Sequence, residues 1–223
     1  MKIAIVHGEH TELARKRFST IIDKVRSRGS EIVEVDLEVA LGEQIVGRSL
    51  FGSESLFVVE EVRKLSKKDV EWLVENIEGL EGNLLAYGKG TVAASLLRPF
   101  GKKAKIEKFD IPKLVFKFLG MIYPGNSGEV IRVLHDIVRH EAVEFVFAMM
   151  ASLLRDLYWV RVSPSSIPYP SWRVARLESQ AGKFEDGQIE RIIGRLADID
   201  MKVKTSSANL LQELDLLIIS ELE

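Results

Sequence analysis

The hydrophobic pattern of the chain changes character near Asp110, and that change constrains the fold more than any other feature. Before it, short apolar runs alternate with amphipathic helical segments. After it, strand patterns stop and a helical period takes over. Strands separated by helices imply a mainly parallel sheet covered on both faces. A run of amphipathic helices with short connections implies a bundle. The expected architecture is an α/β domain over residues 1–110, followed by an all-α domain over residues 111–223.

In the first part, residues 2–7, 31–35, 55–59, 84–87 and 104–108 read as strands. Residues 11–28, 39–46 and 67–76 read as helices, with Ser66 placed to cap the last of them. Residues 92–97 lie between the last two strands. The expected inner face of the first helix carries Leu13, Phe18, Ile21, Ile22 and Val25. Arg28-Gly29-Ser30 stops that helix. In the second part, residues 112–123, 128–139, 142–162, 172–181, 188–204 and 208–222 carry helical patterns. Residues 163–170, with three prolines, are the strongest loop signal.

Composition narrows the function classes. With 46% apolar residues, the chain has enough material for a buried core. It has no cysteine, which removes disulfides, thiolate zinc sites and thiol nucleophiles, and fits a reducing, cytoplasmic location. No apolar run is long enough to cross a bilayer, and the opening residues are too few and too soon interrupted for a signal peptide. Residues 1–110 hold 18 basic and 18 acidic residues, and residues 111–223 hold 13 and 15. Neither half has the positive excess that independent DNA binding requires. Small basic spots remain at Lys89-Gly90, Arg98 and Gly101-Lys102-Lys103, and read as solvated turn residues.

Catalytic chemistry finds little to stand on. A phosphate loop at the end of the first strand needs several glycines, then a lysine and a hydroxyl. The segment here is His7-Gly8-Glu9-His10-Thr11-Glu12, with one glycine, no lysine and two carboxylates. Glu60 and Glu61, after the apolar strand, resemble the acidic pair that holds magnesium in ATPases, but without a phosphate loop they have nothing to act on. His7, Glu9 and His10 lack further ligands at a metal-site spacing, so capping or surface roles are expected. His135 and His140 read as structural. No nucleophile elbow is present. The expectation is a protein with no enzyme activity, metal or cofactor.

One segment is out of place for a simple loop. Gly47-Arg48-Ser49-Leu50-Phe51-Gly52 puts two large apolar residues where the chain is expected to turn. Either they tuck inward as core, or they form an apolar knob for a partner's pocket.

In order along the chain, several motifs resemble the delta subunit of the bacterial DNA polymerase III clamp loader. They are His7-Gly8-Glu9, then Ser49-Leu50-Phe51-Gly52 with strand residues 56–59, then Lys113-Leu114-Val115-Phe116-Lys117-Phe118-Leu119 with residues 130–138. Ile167-Pro168-Tyr169-Pro170 leads on to Lys183-Phe184, and Leu196, Asp200 and Lys204-Thr205 precede residues 210–217. The resemblance implies an AAA+-like α/β domain without a nucleotide site, followed by a helical collar domain. It implies a non-catalytic protein of DNA replication that binds the sliding clamp (the beta subunit) and helps open it. By the same resemblance, Leu50 and Phe51 enter the clamp's hydrophobic pocket and Ser49 shapes the turn. The helical domain packs with other loader subunits, and DNA is met weakly or indirectly.

Two departures stand out. Val46 occupies the place where the general clamp-binding motif often has glutamine. The small helical lid usual between the two domains is missing, because Asp110 passes almost directly to Lys113. Asp200 and Lys204, one turn apart, read as a structural ion pair. Two other classes stay open: a degenerate nucleoside triphosphatase using Glu60 and Glu61, and an α/β-helical scaffold of another complex.

Overall fold

A computed structural model describes residues 1–49 and 55–223, with the side chains of residues 47–49 set aside. It divides into two compact units, Met1–Ile111 and Pro112–Glu223.

The first unit is built on five strands: β1 (Lys2–Gly8), β2 (Glu31–Glu34), β3 (Ser55–Val59), β4 (Asn83–Lys89) and β5 (Ala104–Lys108). Their order across the sheet is β2-β3-β4-β1-β5, and every paired strand is parallel. A parallel sheet is buried on both faces, which is why its inner strands read as continuous apolar runs. Side chains alternate between the faces with the period of two that strand geometry imposes. Ile3 and Ile5, Phe57 and Val59, and Leu84 and Ala86 share one face. Val6, Leu56, Val58, Leu85 and Tyr87 share the other.

Helix α1 (Thr11–Arg26) covers the second face with Ala14 and Phe18, backed by Ile21, Ile22 and Val25. Leu13, expected on that inner face, is exposed, and Ala14 takes the buried position. The opposite face is covered by α2 (Leu41–Ser49), α3 (Lys67–Asn76) and Phe100 from the 3-10 turn after α4 (Ala94–Leu97). Ser66 caps α3 as expected, its Oγ accepting the Asp69 N–H at 3.1 Å.

Helix α2 differs from its sequence expectation at both ends. Its start moves to Leu41 because Gln44 bonds back to the preceding turn, reaching the Asp36 N–H at 2.8 Å and the Asp36 and Val39 carbonyls at 2.7 and 2.9 Å. At the other end Gly47, Arg48 and Ser49 stay helical, so the described part of α2 runs to Ser49. One glycine costs an exposed helix only about 1 kcal/mol, too little by itself to end it. Asp69 ties α2 to α3: its Oδ1 accepts the Leu41 N–H at 3.1 Å and its Oδ2 accepts the Ser66 hydroxyl at 2.6 Å.

The second unit is all-α: α5 (Lys113–Met121), α6 (Ser127–Ile137), α7 (Val143–Val162), α8 (Ser171–Ala181), α9 (Gln188–Lys204) and α10 (Leu210–Leu222). Helix α7 runs through the bundle, burying Val146, Met150, Leu154, Leu157 and Val160. The C-terminal end of α10 is tied to the starts of α6 and α9 by polar bonds that helical ends leave available. The Leu222 carbonyl accepts the N–H groups of Gly125 and Asn126 at 2.8 and 3.2 Å, and the Gln188 side chain donates to the Glu221 carbonyl at 2.7 Å. Between β5 and α5 the chain has only residues 109–112. None of the described helices is long and apolar enough to cross a membrane.

Candidate functional site

The turn from β1 into α1 is where an α/β protein of this layout would hold a phosphate. Here three of its N–H donors are already used. The Gly8 N–H donates to the Gly90 carbonyl at 3.0 Å, the His10 N–H to the Phe109 carbonyl at 2.9 Å, and the Thr11 N–H to the Glu9 carbonyl at 2.9 Å. His10 is buried and its Nδ1 accepts the Leu13 N–H at 3.4 Å as the cap of α1. Residue 109 lies over Gly8 so closely that a Cβ there would come within 2.0 Å of the Phe109 carbonyl oxygen. Only glycine fits at that φ of +141°. The segment following β5 therefore packs directly on Gly8.

His7 is buried as well, and its Nδ1 accepts the Val92 N–H at 3.3 Å. Burial, aided by the Lys108 charge, holds its pKa below the usual histidine value. The two histidines are thus interior, not surface, residues. Among the described residues no cluster of three metal-ligating side chains occurs.

The acidic pair after β3 is engaged on both members. Glu60 forms a two-pronged pair with the Arg15 guanidinium, which also lies 5.1 and 5.3 Å from the ring centres of Phe18 and Tyr87. Glu60 raises the Arg15 pKa through that hydrogen bond. Glu61 accepts the Arg63 N–H at 3.2 Å and pairs with its guanidinium at 3.3 Å, while Arg63 reaches the Thr91 carbonyl at 3.0 Å. Glu60 is met by an arginine of α1 while its side chain stays 51% exposed, and Glu61 is met by an arginine two residues along its own segment.

The apolar segment is located by its neighbours. Leu50 and Phe51 lie outside the described residues, between the end of α2 at Ser49 and the start of β3 at Ser55. On the preceding turn Val46 is 50% exposed. It lines a groove of 510 Å³ between α2 and α3, with Gly42, Glu43, Lys68 and Trp72. A Cβ on Gly42 would come within 2.9 Å of the Trp72 ring, so the two helices approach closely there. Helix α2, which precedes this segment in the chain, is fixed to α3 through Asp69 and Trp72.

In the helical unit, Lys204 and Asp200 pair at 2.6 Å, as their spacing suggests. His135 bonds to Asp215 at 3.0 Å across helices. Sequence reasoning missed Asp156, a 4%-exposed carboxylate in α7. It accepts from Arg155 at 2.8 Å, the Tyr169 hydroxyl at 3.0 Å and Arg173 at 3.3 Å. Only its place inside an otherwise apolar stripe of α7 marks it in the sequence.

No family model matches the chain, and no curated protein matches it. Among solved structures, it is similar to the Bacillus subtilis DNA clamp loader delta protein (YqeN), at 12% identity and a TM-score of 0.46, over 100% of this chain and 95% of that one. It is also similar to a Thermotoga maritima DNA polymerase III gamma subunit-related protein, at 13% identity and a TM-score of 0.34, over 99% and 93% of the two chains. A chain of the Drosophila ORC assembly bound to DNA and Cdc6 aligns at 8% identity and a TM-score of 0.34, over 99% and 66%. These likenesses concern the fold, an α/β unit followed by helices, and carry no functional argument at such scores.

Proposed function

We propose that this chain is a non-catalytic, delta-type subunit of a clamp loader. It grips a sliding clamp through Leu50 and Phe51 and joins other loader subunits through its helical unit. The observation that carries this reading is the position of that pair. Two large apolar residues follow directly on the last turn of α2, ahead of a strand whose five residues are all buried. Val46, one turn earlier, already offers apolar surface to solvent. A Leu–Phe pair seated in a partner's pocket is enough to contribute a few kcal/mol, on the order of 2–4, to association.

The absence of chemistry is part of the proposal. The Gly8, His10 and Thr11 N–H groups of the β1–α1 turn are bonded within the protein and Glu60 is held by Arg15, which supports a reading without nucleotide chemistry. Clamp opening then follows only if the protein binds the opened ring more tightly than the closed one, since differential affinity alone shifts such an equilibrium.

A pulldown with a bacterial sliding clamp tests the binding role. The wild type is expected to be retained, and the Leu50→Ala/Phe51→Ala variant to be lost at an unchanged melting temperature. Equal retention removes the site, and a melted variant assigns the pair to the core. A titration with ATP and magnesium is expected to give no saturable binding, whereas saturation would favour a nucleoside triphosphatase.

A further inference from the structure

The helical unit carries a second surface that the clamp-binding reading does not use. Helices α5, α7 and α8 enclose a groove of 290 Å³ with an apolar floor that includes Leu119, Met149 and Leu153. Two aromatic side chains line it while remaining open to solvent: Phe116 is 43% exposed and Trp172 68%.

The polar groups of the lining are unequal. Asp156 has both carboxylate oxygens taken by Arg155, Tyr169 and Arg173, so its charge is matched from within. Arg173 also stacks on the Tyr169 ring, 3.7 Å from its centre. Arg176 makes no hydrogen bond or ion pair among the described residues. It lies across α5 at Gly120, where a Cβ would come within 3.1 Å of its Nη2. Gln180 donates its amide to the Leu119 and Ile122 carbonyls at 2.8 and 2.9 Å, and no described donor reaches its side-chain oxygen. The groove therefore offers apolar floor, exposed aromatic edges, one uncompensated guanidinium and one open acceptor.

We infer that this groove is a docking surface for a partner-protein segment that presents a carboxylate beside a large apolar side chain. The charge complement sets the carboxylate, because Arg176 is the lining's unmatched charge and its planar fork suits carboxylate oxygens. The floor sets the apolar neighbour. Trp and Arg are the residue types that most often carry binding energy in protein interfaces. Nucleic acid fits less well, since backbone recognition takes several cations and the groove has one to spare. The inference does not depend on Leu50 and Phe51 meeting a clamp.

The test uses the full chain and two fluorescein-labelled, alanine-based helical peptides. One carries Phe and Glu one turn apart; its twin has Lys in place of Glu. Anisotropy is expected to show saturable binding of the Glu peptide and about tenfold weaker binding of the Lys peptide, the size of one charge-assisted contact. Arg176→Gln is expected to weaken the Glu peptide about five- to tenfold without affecting the Lys peptide, and Trp172→Ala to weaken both. Both side chains are exposed, so the melting temperature is expected to stay unchanged. No binding, equal affinity for the two peptides, or indifference to Arg176→Gln overturns the inference. Self-association of the protein that Arg176→Gln abolishes would assign the groove to a second copy, and single-stranded DNA that binds and is lost with Arg176→Gln would assign it to nucleic acid. Either result overturns the inference too.

Discussion

At Gly8 the backbone has φ +141° and the Phe109 carbonyl oxygen stands 2.0 Å from where a Cβ would be. Gly8→Ala therefore forces both a disfavoured backbone and a displacement of residue 109. Denaturant unfolding is expected to record a loss of about 3 kcal/mol. At Glu107 the determinant is charge. Its carboxylate accepts from Arg17 at 2.6 Å and from Lys105 at 2.8 Å, and these bonds lower its pKa from 4.5 to about 2. A carboxyl whose folded pKa is depressed adds stability above its unfolded value and loses it as pH falls. Glu107 thus stabilises the fold fully above pH 4.5 and ceases to as pH drops through about 2. Stability measured against pH is expected to fall less steeply across that window in Glu107→Gln than in the wild type. Neither residue announces this in the sequence. Gly8 is legible as a turn glycine, but the carbonyl above it comes from residue 109. Likewise Arg17 and Glu107 are joined only once β5 lies beside β1.

At the scale of elements the sequence was informative where one signal acted alone. The continuous apolar run in residues 56–59 gave β3, and Ser66 gave the start of α3, because a capping hydroxyl acts within its own helical turn. Ser66→Ala is expected to lower stability by about 1 kcal/mol in denaturant unfolding, since it removes the acceptor of the Asp69 N–H. Helix α2 was less legible. Its start depends on Gln44 reaching back to Asp36, and its end passes through a glycine that local propensity would have made a stop. The same limit applies to the β1–α1 turn. Its single glycine and lack of lysine are readable from residues 7–12, but the N–H bonds of Gly8 and His10 go to Gly90 and Phe109, far along the chain. The burial of His7 and His10 follows from those contacts, and a linear motif does not contain it.

For the whole molecule, the change of pattern near Asp110 identified a parallel α/β unit and a helical unit, because periods of two and 3.6 differ over many residues. The candidate site was legible as a sequence anomaly, an apolar pair in a segment that pattern reasoning assigns to a turn. Its use by a partner depends on another molecule and lies beyond what any one chain's pattern holds. In the α/β unit the N–H groups of Gly8, His10 and Thr11 are bonded within the protein, Glu60 and Glu61 are paired with arginines, and α2 is fixed by Asp69 beside Trp72. The most direct measurement is the affinity of this protein for a bacterial sliding clamp, by calorimetry, with and without Leu50→Ala/Phe51→Ala. The expected result is saturable binding by the wild type and a loss of roughly 30-fold or more in the folded variant. Identical affinities for the two proteins, or no binding by the wild type, would contradict the account.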